Sequence, residues 1–264
     1  MLKGALHVHS TYSDGEFTLA ELKDLFCSCG CDFACITDHA EAFDNEKLQR
    51  YRNECASLSG NNFLFVSGLE YGCERGMHVL GYGAQSLLHT RDPQQVIAKI
   101  QEREGLAVIA HPKDDALPWI ESFEVLPDGI ETWNSKYDGR YAPRPQVFRT
   151  LRRLQERRCE MRAFYGQDLH WRKQYRGLFN VLQCSGLNEQ SILNALRTGA
   201  YFGTEGKLQL PSSGEISETM LAQFTVAHGR SRRLRKSITN AKKALELLGI
   251  PIPSAIKAQL RRIF

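Results

Sequence analysis

The chain has 264 residues, of which 42% are hydrophobic and 24% are charged. This composition is typical of a globular protein with one large domain or two small ones. No apolar run reaches the length that spans a membrane, and the hydrophobic stretch in MLKGALHVHS is too short for a signal peptide. We therefore expect no membrane span, and a soluble protein of the cytoplasm.

Short apolar runs alternate with helical patterns along the chain. Eight runs have the length of a strand: GALHV, DFACIT, FLFVSG, HVLGY, LAVIA, GIETW, MRAFY and LFNVLQ. Helical patterns separate many of them, as in DPQQVIAKIQEREG, where Asp92 can cap the helix, Pro93 fits its first turn and Gly105 follows its end. This alternation predicts a mainly parallel sheet with helices outside, in either a barrel or an open doubly wound sheet.

The pattern changes near SSGEIS, which divides the chain into two predicted parts. Residues 1–212 are expected to form the α/β body, and residues 213–264 a helical C-terminal appendage. The appendage is predicted to contain one long helix, or two helices broken near Gly229, followed by a short helix in PIPSAIKAQLRRIF. Residues 215–264 hold ten Lys and Arg residues against three Glu residues, so the chain's net charge of +4 comes from this tail.

Four of the eight cysteines crowd into CSCGCDFAC, which leaves two interpretations open. A metal knuckle is one, although the CxCxC spacing is not that of a zinc finger. The alternative, which we favour, is that the stretch runs from the end of an amphipathic helix into a strand and carries buried free thiols.

Histidines and carboxylates collect at or beside the ends of the predicted strands. Six segments carry them: HVH with His7 and His9, TDH with Asp38 and His39, SGLE with Glu70, HVLGY with His78, AHP with His111, and GQDLH with Asp168 and His170. Residues two apart in a strand point to one side, and functional groups in parallel α/β folds gather at the carboxyl ends of the strands. So many imidazoles and carboxylates at one mouth are costly without cations, and nitrogen and oxygen ligands suit zinc, manganese or iron. The number of ligands indicates a cluster of ions rather than one.

Six motifs, HVHSTYSDG, ITDH, GLEY, HVLGY, AHP and GQDLH, occur in the order found in the PHP (polymerase and histidinol phosphatase) metal-dependent phosphoesterases. The chain resembles this family from about residue 4 to residue 205. The resemblance implies a distorted, seven-stranded β/α barrel, similar to a TIM barrel, with up to three divalent metal ions at its mouth.

The resemblance also implies a ligand set. One metal would be held by His7, His9, Glu70 and Asp168, a second by Glu70, His78 and His111, and a third by Asp14, His39 and His170. Asp38, Asp168 and His170 are the candidate catalytic residues, and Asp38 either orients a ligand histidine or caps the strand end. The implied reaction is hydrolysis of a phosphate ester by a metal-bound hydroxide.

Substrate contacts are predicted only from charge and position. Five cations in loops after the predicted strands are candidates: Arg75, Lys113, Lys136, Arg140 and Arg144. Glu131 and Asn134 are candidate supporting groups at the site. The expected substrate is a phosphorylated small molecule or a nucleotide.

Three alternatives remain open. The protein could be a histidinol-phosphate phosphatase, an exonuclease or oligoribonuclease, or a non-catalytic PHP module. The basic stretch RSRRLRKSITNAKK is consistent with contacts to a nucleic-acid backbone, but it lacks interleaved aromatic residues. A complete set of nine ligand-competent residues favours an enzyme over a non-catalytic module. The sequence does not indicate an oligomeric state.

Overall fold

One curved sheet of ten strands organises the part of the chain that the computed structural model describes, residues 1–84, 86–138 and 143–247. The strands are β1 (Leu2–Val8), β2 (Phe33–His39), β3 (Leu64–Gly72), β4 (His78–Tyr82), β5 (Leu106–Ala110), β6 (Gly129–Asn134), β7 (Arg162–Gly166), β8 (Phe179–Leu182), β9 (Tyr201–Glu205) and β10 (Leu208–Pro211). The α-helices are α1 (Leu19–Ser28), α2 (Asn45–Leu58), α3 (Pro93–Gln101), α4 (Leu117–Glu121), α5 (Pro145–Gln155), α6 (Glu189–Thr198) and α7 (Glu218–Leu247).

The sheet curves into a nearly closed barrel. Its strand order is β10-β9-β8-β1-β2-β3-β4-β5-β6-β7, and the segment that follows β7 returns to β1. There the Gln167 N–H donates to the Leu6 carbonyl (2.9 Å) and the His9 N–H donates to the Leu169 carbonyl (3.0 Å). The barrel-like α/β fold is confirmed, but the expected number of seven strands is wrong. Strands β8, β9 and β10 extend the same sheet beyond β1, which gives ten.

The sheet is mixed rather than mainly parallel, which corrects a second expectation. Strand β4 runs antiparallel to both β3 and β5, and β8, β9 and β10 are also antiparallel to their neighbours. The reason is local for β4, because only residues 73–77 connect it to β3. A parallel return needs a dozen or more residues, so this short connection permits only an antiparallel pair.

Side chains at the helix starts satisfy the free backbone N–H groups of the first turn. Thr18 and Glu21 form a reciprocal capping box at α1, while Asp44, Asp92 and Asn188 cap α2, α3 and α6. Since α1 and α2 are held at their starts, the strand-to-helix connections before them, which carry site residues, have fixed geometry.

The predicted long tail helix is a single helix, α7, that runs through Gly229 without a break. Its first turns pack on α5, where the Phe224 and Phe148 rings are 6.4 Å apart and Arg152 pairs with Glu218 at 2.7 Å. The short helix predicted in PIPSAIKAQLRRIF lies outside the described residues. Within the described ranges, no helix combines the length and apolarity needed to cross a membrane.

Candidate metal centre

The nine predicted ligands lie together at one end of the barrel. They form four overlapping groups in which one ligand atom from each residue lies within 4.8 Å of the others. The groups are His9, Asp14, His39 and His170; His7, His9 and Asp168; His7, Glu70 and His111; and His39, Glu70 and His78. None of these groups in the described ranges includes a cysteine, so the crowded thiols of CSCGCDFAC stand apart from the cluster.

Glu70 is at the centre of the cluster and is 1% exposed. Its Oε1 atom lies 2.7 Å from His78 Nδ1 and 3.1 Å from His111 Nε2. Its Oε2 atom lies within 3.4 Å of three imidazole nitrogens, those of His7, His9 and His39. The register of the sheet produces this arrangement, because Glu70 in β3 is paired with His39 at the end of β2. Its two oxygens therefore face different sets of histidines, as a bridging carboxylate requires.

Two further carboxylates, those of Asp168 and Asp14, lie beside His170. Asp168 Oδ1 lies 3.2 Å from His170 Nδ1 and 3.6 Å from His9 Nε2. Asp14 is 55% exposed, and its Oδ1 lies 3.3 Å from His170 Nε2 and 3.6 Å from His39 Nε2. One carboxylate is thus buried, and the other is open to solvent.

The backbone is strained where several of these residues are held. His7, His111 and Asp168 have φ values of 58°, 26° and 51°, in the left-handed region that non-glycine residues seldom adopt. His7 sits where the pairing of β1 with β2 shifts register, between Ala5 and Val8. Such conformations cost on the order of 1–3 kcal/mol each and cluster at functional sites. Simple strand alternation therefore does not account for how His7 and His9 reach one centre.

The charges in the cluster compensate one another. Burial opposes ionisation of Glu70, but His7, His111 and His78 outweigh it and hold the pKa of this carboxyl well below its usual value. In the same way, burial opposes ionisation of Asp168, yet the nearby imidazoles keep its pKa well below its usual value. The centre therefore presents ionised carboxylates.

Two buried histidines, His7 and His9, differ in how their surroundings shift their pKa values. Burial lowers the pKa of His7, but Glu131, Asp168 and Glu70 outweigh it and raise that pKa well above its ordinary value. Burial also lowers the pKa of His9, and there the effect of burial prevails over the attraction of Glu70. The surroundings of the two rings therefore shift their pKa values in opposite directions.

Glu131 and Asn134, predicted as supporting groups, lie directly behind the cluster and are buried. His7 Nδ1 donates to Glu131 Oε1 at 2.8 Å, which leaves His7 Nε2 facing the centre. Glu131 Oε2 accepts from the His111 backbone N–H at 2.8 Å and from Asn134 Nδ2 at 3.0 Å. A carboxylate behind a histidine fixes both the tautomer and the orientation of the ring. Glu131 therefore positions two of the candidate ligands.

Asp38 lies in the cluster's supporting structure rather than against a histidine. Its carboxylate accepts hydrogen bonds from the Ser10 backbone N–H (2.8 Å), from the Ser10 hydroxyl (2.6 Å) and from the Ser13 hydroxyl. The predicted roles of orienting a ligand histidine and acting in catalysis stay predictions. Asp38 fixes the loop between His9 and Asp14.

The candidate substrate cations have different surroundings. Lys136 points into the cluster, with Nζ 3.0 Å from Asp168 Oδ1 and 3.3 Å from His170 Nδ1. Arg75 and Lys113 line a pocket that His111 borders, and the Arg75 guanidinium lies 4.3 Å from the centre of the Trp119 ring. These three cations are therefore close to the candidate ligands.

Arg144 does not share that position, and its contact with a substrate stays a prediction. It is 9% exposed, with Nε 2.5 Å from Asp138 Oδ1, and burial raises the pKa of Asp138 to about 6 despite this pairing. Arg144 thus neutralises a buried carboxylate. Arg140 lies outside the described residues.

Two aromatic residues at the centre were missed from the sequence. Tyr137 and Trp171 are large, exposed side chains, and their rings contact those of His111 and His170. Each is the immediate neighbour of a predicted site residue, Lys136 or His170. That adjacency was the available signal, although it does not reveal which way a ring points.

Comparisons with known proteins support the fold that the motifs predicted. The chain is similar in structure to a two-domain protein from Bacteroides vulgatus containing a predicted PHP-like metal-dependent phosphoesterase, with a TM-score of 0.59 and 17% identity over 85% of this chain and 69% of that one. It is also similar to PsfC from Pseudomonas syringae, with a TM-score of 0.52 and 14% identity over 87% of this chain and 98% of that one. The chain therefore shares the fold of a PHP-like protein.

One sequence relative adds a local match. A stretch of 77 residues is 34% identical to the DNA polymerase/3′-5′ exonuclease PolX of Bacillus subtilis, covering 26% of this chain and 14% of that protein. No protein-family model matches the chain.

Proposed function

We propose that this protein is a metal-dependent phosphoesterase that hydrolyses a phosphate ester at a site with three metal ions. The observation that carries this proposal is the convergence of nine imidazole and carboxylate side chains around Glu70. The PHP-like fold supports it independently, because the structural relative from Bacteroides vulgatus contains a predicted phosphoesterase of this kind.

The residues present fit divalent metal ions. The donor atoms are imidazole nitrogens and carboxylate oxygens without thiolate, a set that suits zinc, manganese or iron. Both ring nitrogens of the buried His9 lack a hydrogen bond, although Glu70 Oε2 lies 3.1 Å from Nε2. Buried polar atoms without partners are costly, and a bound ion would give one of these nitrogens a partner.

The proposed ions would share the ligands in the order that the motifs imply. One would be held by His7, His9, Glu70 and Asp168, the second by Glu70, His78 and His111, and the third by Asp14, His39 and His170. Four overlapping groups and a central carboxylate that faces histidines on both sides are consistent with shared rather than separate ions. When bound, divalent ions make water a nucleophile near neutral pH and offset charge on a phosphoryl group.

The protein's own side chains would orient the ligands and bind the substrate. Glu131 holds the His7 proton on Nδ1, and the Asp168 carbonyl lies 3.0 Å from His170 Nδ1, where it can hold that ring's proton in the same way. Lys136 places an ammonium beside Asp168, where it can donate to a phosphoryl oxygen. Arg75 and Lys113 offer further cationic donors in the adjoining pocket.

A substrate panel with metal control tests this proposal. The protein, loaded separately with zinc, manganese or iron, is assayed on a phosphomonoester, a phosphodiester and a single-stranded oligonucleotide. We expect hydrolysis of at least one substrate, loss of it with a chelator, and recovery when metal is returned. Hydrolysis that persists in the metal-free protein, or no hydrolysis by the metal-loaded protein, would contradict the proposal.

A second candidate function is exonuclease activity on nucleic acid. The local match to PolX and the exposed cations of α7 both favour it. Release of mononucleotides from one end of a single-stranded oligonucleotide would support this candidate, while activity confined to small phosphomonoesters would exclude it.

A further inference from the structure

Two exposed aromatic side chains flank the cluster of candidate ligands. The Tyr137 ring centroid is 4.7 Å from that of His111, and the Trp171 ring centroid is 5.6 Å from that of His170. Tyr137 is 51% exposed and Trp171 is 39% exposed. The other large hydrophobic side chains that are exposed in the described residues are not aromatic: Met1, Val125 and Val226. Both exposed aromatic side chains of this set therefore lie at the centre.

Each of these rings has a lysine beside it. Lys136 Nζ lies 5.2 Å from the centre of the Tyr137 ring, and Lys173 Nζ lies 5.0 Å from the centre of the Trp171 ring. Lys136 also reaches Asp168 within the cluster. The mouth therefore presents two pairs, each made of a solvent-facing ring and an ammonium group, next to candidate metal ligands.

This pairing matches the chemistry of a nucleotide. Every nucleobase has a flat face that can stack on an aromatic ring, whichever base it is. The phosphate of the nucleotide is attracted to nearby cations. A phosphate at the candidate ligands would leave the group esterified to it beside Tyr137 or Trp171, because each ring contacts a ligand histidine.

We propose that Tyr137 and Trp171 are stacking surfaces for nucleobases, and that the preferred substrates are phosphate esters of nucleosides. This inference rests on the proposed phosphoesterase function and names its substrate class. The two residues would determine specificity, since they bind the part of the substrate that does not react.

Kinetics on two substrates test the inference. Trp171→Ala and Tyr137→Ala are compared with Trp171→Phe and Tyr137→Phe on adenosine 5′-monophosphate and on glycerol 2-phosphate, which has no ring. Stacking energies of about 1–3 kcal/mol per base convert to a rise of about 5- to 140-fold in KM for the nucleotide in each alanine variant. The phenylalanine variants should restore most of the affinity, and values for glycerol 2-phosphate should stay within about twofold. Val226→Ala, at an exposed residue of α7, is the control for loss of a hydrophobic surface group.

Binding of unphosphorylated adenosine, measured by calorimetry, separates this inference from the proposed function. Adenosine should bind the native protein and Trp171→Phe more tightly than Trp171→Ala, while the metal content of all three stays equal. If neither phosphate ester is hydrolysed, the proposed function fails, but adenosine binding that depends on Trp171 and Tyr137 still supports the stacking surfaces. Parallel losses on both substrates, or adenosine binding unchanged in both alanine variants, would overturn the inference.

Discussion

The barrel mouth and helix α7 both concentrate charge, but they do so in opposite environments. At the mouth, Glu70 and Asp168 are 1% exposed and are kept ionised by surrounding imidazoles. Along α7, Arg230, Arg233 and Lys236 are exposed to solvent. Buried charges persist only with suitable partners, whereas exposed charges are solvated and interact weakly. Substitutions should therefore have large effects at the mouth and small ones on α7.

The largest effect is expected from Glu70→Gln, because both oxygens of this carboxylate face candidate ligands. The variant should lose phosphoesterase activity by more than about 100-fold, since loss of even an outer partner of a metal site costs about 10- to 100-fold. The measurement is kcat/KM on p-nitrophenyl phosphate, with the exposed Glu160→Gln as the matched control. Activity in Glu70→Gln within about threefold of the native value would show that Glu70 is not the central ligand.

Removing bound metal should destabilise the mouth as a whole. A ligand present at 100 times its Kd stabilises the folded protein by about 2.7 kcal/mol, so chelation should lower Tm by several degrees. Differential scanning fluorimetry with and without a chelator measures the shift. Glu70→Gln serves as the comparison, because it should bind fewer ions and its Tm should therefore respond less to the chelator. An equal response in both proteins would mean that the metal acts elsewhere.

Glu131→Gln should have an intermediate effect, because Glu131 contacts His7 and the His111 backbone without being one of the candidate ligands. Metal affinity should fall by about 10- to 100-fold, as for other outer partners of metal sites. Titration with zinc in a competitive chelator assay gives the value. An unchanged affinity would mean that His7 needs no carboxylate behind it.

Asp38→Asn should mainly reduce stability. An asparagine cannot accept all three of the hydrogen bonds that Ser10 and Ser13 donate, and leaving a buried donor unpaired costs about 1–3 kcal/mol. Urea denaturation measures the free energy of unfolding, with the exposed Asp24→Asn as its control. A loss of activity without any loss of stability would instead support the predicted catalytic role of Asp38.

The smallest effect is expected on α7. Replacing Arg230, Arg233 and Lys236 together by glutamine should change the free energy of unfolding by less than about 0.5 kcal/mol per residue. Hydrolysis of p-nitrophenyl phosphate should be unchanged. Weaker, less salt-dependent binding of a single-stranded oligonucleotide would extend the substrate contacts to this helix. A large fall in phosphomonoester hydrolysis would contradict the expectation that substitutions on α7 have small effects.

Much of the barrel could be predicted from local signals in the sequence. The capped helices and eight strands were predictable because their signals are local. An apolar run, a capping residue such as Asp92 and a first-turn proline such as Pro93 each determine structure within a few residues of their own position. Strands β9 (YFGTE) and β10 (LQLP) were missed because neither is a continuous apolar run, and the hairpin signal at Gly206 (φ 58°) was weak. The direction of β4 was also missed, since it follows from the length of its connection to β3.

The set of site residues could be predicted, but their surroundings could not. The order of the motifs identified nine side chains that the fold brings together. The contacts of Asp38 with Ser10 and of Arg144 with Asp138 depend on tertiary structure, which the motifs do not show. Asp38 pairs with Ser10, which the chain folds back to it from 28 residues away. Tyr137 and Trp171 were missed because a sequence does not show which rings remain exposed.

Counting the metal ions bound to the native protein tests the central claim most directly. Elemental analysis by mass spectrometry is carried out after reconstitution with zinc, manganese or iron and removal of excess metal. The nine-ligand cluster around Glu70 predicts close to three ions per chain, and markedly fewer in Glu70→Gln. Fewer than one ion per native chain with every metal, or equal amounts in the native protein and Glu70→Gln, would contradict it.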